Sequence, residues 1–396
     1  MKYRYNRDGE KLSVLGYGCM RFTKTGGTID LAKARREILS AVERGVNYFD
    51  TAYVYPGNEE ALGLILEQTG IRDRVNVATK LPQYLIRSSA AIEKDFREEL
   101  KRLRTDHIDY YLMHMMTDYS QWENLRRFGI EEWIQEKKQS GEIRHIGFSF
   151  HGNTDMFLRI LNAYDWDFCQ IQYNYLDEHT QAGRAGLEAA AAKGIPVIIM
   201  EPLRGGKLVN LMPEKAREMV RNHPSGRSAA AWGLLWLWDQ PGVTCVLSGM
   251  NSVEMVEENC RLASEAEAGL FTESDQAFIE KLKEEIRAYV KVGCTGCRYC
   301  MPCPSGVDIP GVFRCYNHMY TESRKEGRHE YAQTIGLAAE PGFGSRCVRC
   351  GRCEKLCPQV LPIRDLLREA DRALRPLPYR VGIGVVRKIL LRKPES

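Results

Sequence analysis

The chain has 396 residues, of which 44% are hydrophobic and 27% charged, with a formal net charge of +4. That length exceeds a single ordinary core, so a barrel of about 250 residues with a smaller unit appended is expected, and so weak a charge excludes an electrostatic argument for nucleic acid as partner. Ala229 to Trp238, the most apolar stretch, is too short for a transmembrane segment, and the polar start MKYRYNRDGEK lacks the apolar core of a signal peptide, which together lead to the expectation of a cytoplasmic protein.

In chain order, Leu12 to Cys19 reads as a short strand running into the turn Gly16-Tyr17-Gly18, with Met20 and Arg21 at its exit. A helical pattern from Ile29 to Arg44 leads to an apolar run that ends on Asp50, and Tyr55 follows five residues later. Asn58 begins the next helix, to about Gln68. Val75 to Lys80 is a strand, Ser88 is an N-cap for a helix to Leu103, and Ile108 to His114 is the next strand. A helix from Ile130 to Lys138 precedes the strand His145 to Ser149. Phe168 to Gln172, Pro196 to Met200 and Thr244 to Ser248 complete eight strand-like runs that alternate with helices, the pattern of parallel βα units. The predicted fold class is α/β, a closed (β/α)₈ TIM barrel. An open doubly wound sheet is the alternative, but no Gly-x-Gly-x-x-Gly follows the first strand.

Barrel active sites lie at the C-terminal ends of the strands, and Asp50, Lys80 and His114 close three successive ones. A free tyrosine titrates near pH 10, so Tyr55 needs help to exchange a proton near neutrality. A Lys80 ammonium favours its phenolate by opposite charge, and Asp50 keeps that lysine charged and in place. In this order Asp50, Tyr55, Lys80 and His114 resemble the catalytic tetrad of the aldo-keto reductase family. The resemblance implies an NAD(P)H-dependent oxidoreductase that reduces a small aldehyde or ketone, or oxidises the alcohol, with Tyr55 as proton donor and His114 orienting the carbonyl.

The same resemblance supplies candidate cofactor contacts. Ser149 and Gln170 match the family's Ser and Gln that hold the nicotinamide carboxamide, whereas Phe150 stands at the Asn position, with Asn153 as the substitute. The stretch MEPLRGGKL looks like the loop over the pyrophosphate, with Met200, Pro202, Leu203, Gly205, Gly206 and Lys207 as contacts; its glycines let backbone amides approach phosphate. LSGMNSVEMVEEN resembles the adenosine site, with Ser248, Gly249, Glu258 and Asn259 as contacts. Met255 takes the place of the arginine that often grips the 2′-phosphate, so NADPH and NADH both stay open. Tyr17, Met20, Met115, Met116 and Tyr119 suggest an apolar mouth.

Nine of the thirteen cysteines fall after residue 290, and Cys19, Cys169, Cys245 and Cys260 read as small buried apolar residues. The expected domains are the barrel at 1–290, an α-helical ferredoxin-like region at 291–372 and a basic tail at 373–396. CVRCGRCEKLCP is C-x₂-C-x₂-C-x₃-C-P, the bacterial ferredoxin pattern for [4Fe–4S] ligation, and CTGCRYCMPCP has a shorter last gap. The expected assignment is two [4Fe–4S] clusters, one on Cys294, Cys297, Cys300 and Cys357, the other on Cys347, Cys350, Cys353 and Cys303. One cluster plus a zinc ion on the remaining thiolates is the alternative. Cys315 reads as a packed helical residue. Helices are expected at Gly311 to Glu322, Arg328 to Ala338 and Leu361 to Leu374, and helical connections of this length resemble the ferredoxins of dehydrogenase iron–sulfur subunits.

Aldo-keto reductases with such an appended region form a recognisable subgroup. In that reading the clusters either pass electrons to or from an electron-carrier protein or staple the domain. The alternative function is a nicotinamide-binding redox sensor or electron-transfer subunit acting through a protein partner. From Asp371 onward seven basic residues face two acidic ones, with an apolar repeat that docks on the barrel, on an acidic partner or on a membrane surface.

Overall fold

The structure is a computed structural model that describes every residue except Thr295, Cys297, Ala339, Pro358 and 391–396; side chains are described through Arg387. The chain divides into two compact units, Met1–Gly205 with Ala229–Gln276, and Gly206–Ser228 with Ala277–Ser396. No described helix is long and apolar enough to cross a membrane.

The first unit is a closed barrel of eight parallel strands: β1 (Leu15–Gly18), β2 (Tyr48–Asp50), β3 (Asn76–Leu81), β4 (Ile108–Met116), β5 (Ile143–Phe150), β6 (Phe168–Gln172), β7 (Val197–Met200) and β8 (Val243–Ser248). They pair in chain order, and β8 closes on β1 with Leu247 opposite Gly16. Side chains two apart on a strand share a face, so one apolar set, drawn from six of the strands and from Leu12 before β1, fills the interior. That set is Leu12, Tyr48, Ala78, Tyr110, Leu112, Phe168, Ile198, Cys245 and Leu247. Gly16 belongs to the same packing: a Cβ there would stand 2.7 Å from Leu247 Cδ2 and 2.9 Å from Cys245 Sγ. The bare backbone of β1 thus leaves room for the bulkier residues of β8.

Capping sets the helix starts. Asp30 and Ser88 accept from the backbone amides of Lys33 and Ala91, opening Leu31–Glu43 and Ser89–Leu103. Asn58–Thr69 and Ile130–Ser140 agree with the expected helices. The first helix starts later than its pattern suggested, because Ile29 pairs in a small hairpin, Lys24–Thr25 with Thr28–Ile29. The fourth strand runs past His114 through a bulge in which Met115 has φ 51°, and the register against β5 shifts there.

The second unit packs Ile309–Thr321, Arg324–Tyr331 and Ile363–Leu374 around a core that includes Val312, Phe313, Tyr316, Tyr331 and Leu367. Cys315 is fully buried in that core, and burial pushes its thiol up to about 12. Tyr331 donates to Asp371 Oδ1 at 2.6 Å and Tyr316 to Glu369 Oε1 at 2.6 Å, tying the first two helices to the third. The helix expected from Arg328 starts earlier, where Ser323 caps it by accepting from Glu326 N, and gives way at Ala332–Gly336 to a wider turn. What reads as a basic tail carries a helix, Leu377–Leu390. Its Arg387 donates to Gly336 O and Ala338 O at 2.7 and 2.5 Å, and Ile383 covers Gly336, so it docks on its own unit.

Candidate active site

Two residues beyond members of the interior set, β2, β3, β4, β6 and β7 carry Asp50, Lys80, His114, Gln170 and Met200. The period of the strand therefore turns apolar filling into a polar layer at one end of the barrel. Lys80 Nζ donates to both Asp50 oxygens, at 2.7 and 2.8 Å, and to the Thr51 carbonyl at 2.6 Å. Gln170 Nε2 donates to Asp50 Oδ2 at 3.2 Å. Burial pulls the Lys80 ammonium down, but Asp50 and then Tyr55 outweigh it and leave its pKa raised, so the buried lysine stays charged.

Tyr55 comes from the turn after β2. Its amide donates to Ala52 O, its carbonyl accepts from Asn58 N, and Asn58 Nδ2 donates to Cys19 O at 2.5 Å, pinning the loop against the exit of β1. The Tyr55 ring lies 6.1 Å edge-on from the His114 ring, and Lys80 Nζ is 5.6 Å from its centroid. Burial raises the Tyr55 pKa; Lys80 opposes it without winning, so the phenol is neutral at physiological pH. Burial, then Lys80, pushes His114 down to about 3, so the imidazole is neutral as well. Two neighbours escaped the sequence reading. Tyr84, whose ring lies 6.3 Å from His114, follows Lys80 by four residues much as Tyr55 follows Asp50 by five. His151, which adds the smallest share to the lowering of the His114 pKa, hangs from β4 by its amide on Met116 O.

The candidate cofactor contacts divide. Among the described residues Gln170 Oε1 and His114 Nδ1 are buried without a hydrogen-bond partner, so this layer has an acceptor and a ring nitrogen to offer an incoming polar group. A carboxamide fits that pair of vacant positions. Ser149 Oγ, by contrast, accepts from Met115 N at 2.8 Å and steadies the β4 bulge. Phe150 is fully buried against Phe148 and Phe157, and Asn153 caps Thr154–Leu161 by accepting from Met156 N. Met200 and Leu203 are partly buried and Pro202 is buried. Gly205 and Gly206 have φ of 66° and 89°, the left-handed backbone that their lack of a Cβ permits. Lys207 pairs with the buried Glu322 at 2.9 Å, within the second unit. Ser248 Oγ accepts from Asn259 Nδ2 at 3.1 Å, which ties β8 to Val253–Glu265, while Gly249 and Glu258 are exposed. Of the expected apolar mouth, Met20 and Met115 are exposed and Tyr119 is half-buried. Tyr17 and Met116 are instead fully buried, Tyr17 donating to Met250 O at 2.6 Å.

In the second unit the thiols line two cavities. One is walled by Cys303, Cys347, Cys350 and Cys353 with Cys300. The other is walled by Cys294, Cys300 and Cys357. Cys297 lies outside the described residues. Among the described residues no three His, Cys or carboxylate groups converge as ligands of a single ion do. Two thiol-walled spaces of this kind suit bulky thiolate-bound iron–sulfur groups.

Residues 14–283 match the family described as Aldo/keto reductase family, and residues 293–361 match a 4Fe-4S dicluster domain. An aldo-keto reductase of Mycobacterium sp. (strain MCS) is 31% identical over 51% of this chain and 66% of its own length. L-galactose dehydrogenase of Arabidopsis thaliana is 25% identical over 70% of this chain and 93% of its own. Among solved structures, the holo form of an aldo-keto reductase from Bacillus halodurans superposes with a TM-score of 0.59 at 28% identity, covering 71% of this chain and 96% of that one. An aldo-keto reductase from Klebsiella pneumoniae in complex with NADPH gives 0.57 at 21% identity, over 72% and 96%, a likeness of fold.

Proposed function

We propose that this chain, which belongs to the aldo/keto reductase family and carries a 4Fe-4S domain, reduces a small aldehyde or ketone, or oxidises the corresponding alcohol, with Tyr55 moving the proton. The observation that carries this reading is the convergence of Tyr55, His114 and the Lys80–Asp50 pair in one buried layer. NADH or NADPH, when bound, supplies or takes up hydride. Gln170, with its vacant Oε1, would hold the carboxamide, and the loops after β7 and β8 would hold the phosphates and adenosine.

Each residue then has a task. The carbonyl oxygen enters beside Tyr55 and His114, where neutral His114 donates a hydrogen bond to it without bringing charge. Tyr55 passes its proton to that oxygen as negative charge develops on it. Lys80, held charged by Asp50, stabilises the phenolate left behind. Burial and the ion pair thus act in sequence: burial keeps the proton on Tyr55 beforehand, and Lys80 lowers the cost of losing it.

For the second unit we propose two [4Fe–4S] clusters, Cys294, Cys297, Cys300 and Cys357 holding one and Cys303, Cys347, Cys350 and Cys353 the other. The lining of the two cavities supports this division, each run lending a cysteine to the other's cavity. The clusters either exchange electrons with a carrier protein or brace the domain. The testing experiment is turnover of a panel of aldehydes and ketones with NADH and with NADPH, by the wild type and by Tyr55→Phe. Carbonyl-dependent cofactor oxidation that disappears in the variant is expected. Equal turnover by both proteins removes Tyr55 from the mechanism.

A further inference from the structure

Arg21 leaves the end of β1 and lies along two glycines from other strands' loops. A Cβ on Gly249, just after β8, would stand 2.5 Å from Arg21 Cγ and 3.0 Å from its Cβ. A Cβ on Gly205, in the loop after β7, would stand 3.1 Å from Arg21 Nη2. The stem of the arginine therefore rests on Gly249, where a side chain would displace it, and its guanidinium reaches Gly205. Arg21 is exposed and has no ion-pair partner among the described residues.

The other cations of this loop are engaged. Arg204 approaches Asp177 at 3.3 Å, and Lys207 is held by Glu322 at 2.9 Å. Met255, at the start of Val253–Glu265, offers no charge at all. A guanidinium presents several N–H donors in a plane, which matches phosphate oxygens in pairs, and the loops after the seventh and eighth strands are where barrels commonly hold phosphate. Gly205, at φ 66°, shapes a backbone that anions can approach closely.

We propose that Arg21 is the principal cationic ligand for the diphosphate bridge of the nicotinamide dinucleotide, and that it therefore binds NADH and NADPH alike. This rests on the nucleotide-dependent reading given above. The diphosphate is common to both cofactors, so the arginine confers affinity and leaves the 2′-phosphate unread.

The test is equilibrium binding of NADH and NADPH to the full-length, cluster-loaded protein, followed by calorimetry, with Arg21→Met and Arg21→Lys. Methionine keeps most of the stem's bulk on Gly249 while removing the charge. Arg21→Met should weaken both nucleotides by roughly tenfold to a hundredfold, the range for a lost charge-assisted hydrogen bond, and by equal factors. Arg21→Lys should recover part of the loss. Weakening of NADPH alone would overturn the proposal by assigning Arg21 to the 2′-phosphate. Unchanged affinity in Arg21→Met beside a wild type that binds also overturns it. A wild type that binds neither nucleotide overturns the function on which the proposal rests. A calorimetric unfolding transition kept by Arg21→Met guards against misfolding, which would abolish binding and transition together.

Discussion

Asp50 and Lys80 face each other across neighbouring strands, with the ammonium 2.7 and 2.8 Å from the two carboxylate oxygens and both side chains almost wholly removed from water. Such a pair is held by mutual need rather than by net gain, since each charge alone would be costly to bury. Lys80→Met strips Asp50 of its counter-ion and should cost about 3–5 kcal/mol of stability, measured by urea unfolding. The double variant Asp50→Asn with Lys80→Met should recover most of that loss while staying inactive. A double variant as unstable as the single would show that the pair's charges are not what holds it.

The pH profile follows from the two rings beside that pair. His114 is pushed down to about 3 and Tyr55 is raised above its ordinary value. A donor must carry its proton, so carbonyl reduction should be level from about pH 6 to 9 and decline only on the alkaline side as Tyr55 ionises. A step in kcat/KM near pH 6.5 that vanishes in His114→Gln would mean that the imidazole titrates in the working range.

Between the barrel wall and the helices Asn58–Thr69 and Ser89–Leu103 lies an acidic pair that the mechanism does not use. Glu59 Oε1 accepts from Thr79 Oγ1 at 2.6 Å, Glu99 Oε2 accepts from Tyr111 at 2.6 Å, and burial raises both carboxyls, Glu59 to about 7. An acid whose folded pKa is raised binds protons more tightly folded than unfolded. Its contribution is complete below the unfolded value near 4.5 and declines as pH rises to about 7. Glu59→Gln, which keeps an acceptor for Thr79, should therefore flatten the fall in unfolding temperature between pH 5 and 7.5. An unaltered slope would contradict that account.

The eight cysteines of the two runs and Cys315 should separate cleanly. Iron and acid-labile sulfide should each approach about eight per chain, and Cys350→Ser should lower both. Cys315→Ser should leave them unchanged, because Cys315 is buried in the apolar core away from both cavities' linings. About four irons with one zinc would sustain the single-cluster alternative instead.

How far the sequence could be read is clearest at particular positions. Asp50, Lys80 and His114 were legible because each closes an apolar run, and a period of two carries them into the layer above Tyr48, Ala78 and Leu112. Tyr17 and Met116 were misjudged as mouth residues: Tyr17 lies within β1 with its hydroxyl tied to Met250, and Met116 is drawn into β4 past a bulge that no local pattern announces. Ser149 matched the nicotinamide contact in type, yet its hydroxyl is spent on that bulge. The engagement of Lys207 by Glu322 joins residues far apart in the chain, where only folded geometry supplies the pairing. Arg21 was noticed for its place after a strand, but its reach to Gly205 and Gly249 depends on how β1, β7 and β8 close the barrel.

The central claim is that Tyr55 protonates a carbonyl while hydride reaches its carbon. The most direct measurement is reduction of a reactive aldehyde with nicotinamide nucleotide deuterated at C4, followed by mass analysis of the alcohol, in wild type and Tyr55→Phe. One deuterium on the carbinol carbon, formed by the wild type and slowed by roughly a hundredfold or more in the variant, is the predicted result. Deuterium transfer at equal rates in both proteins, or an alcohol formed without the label, would contradict it.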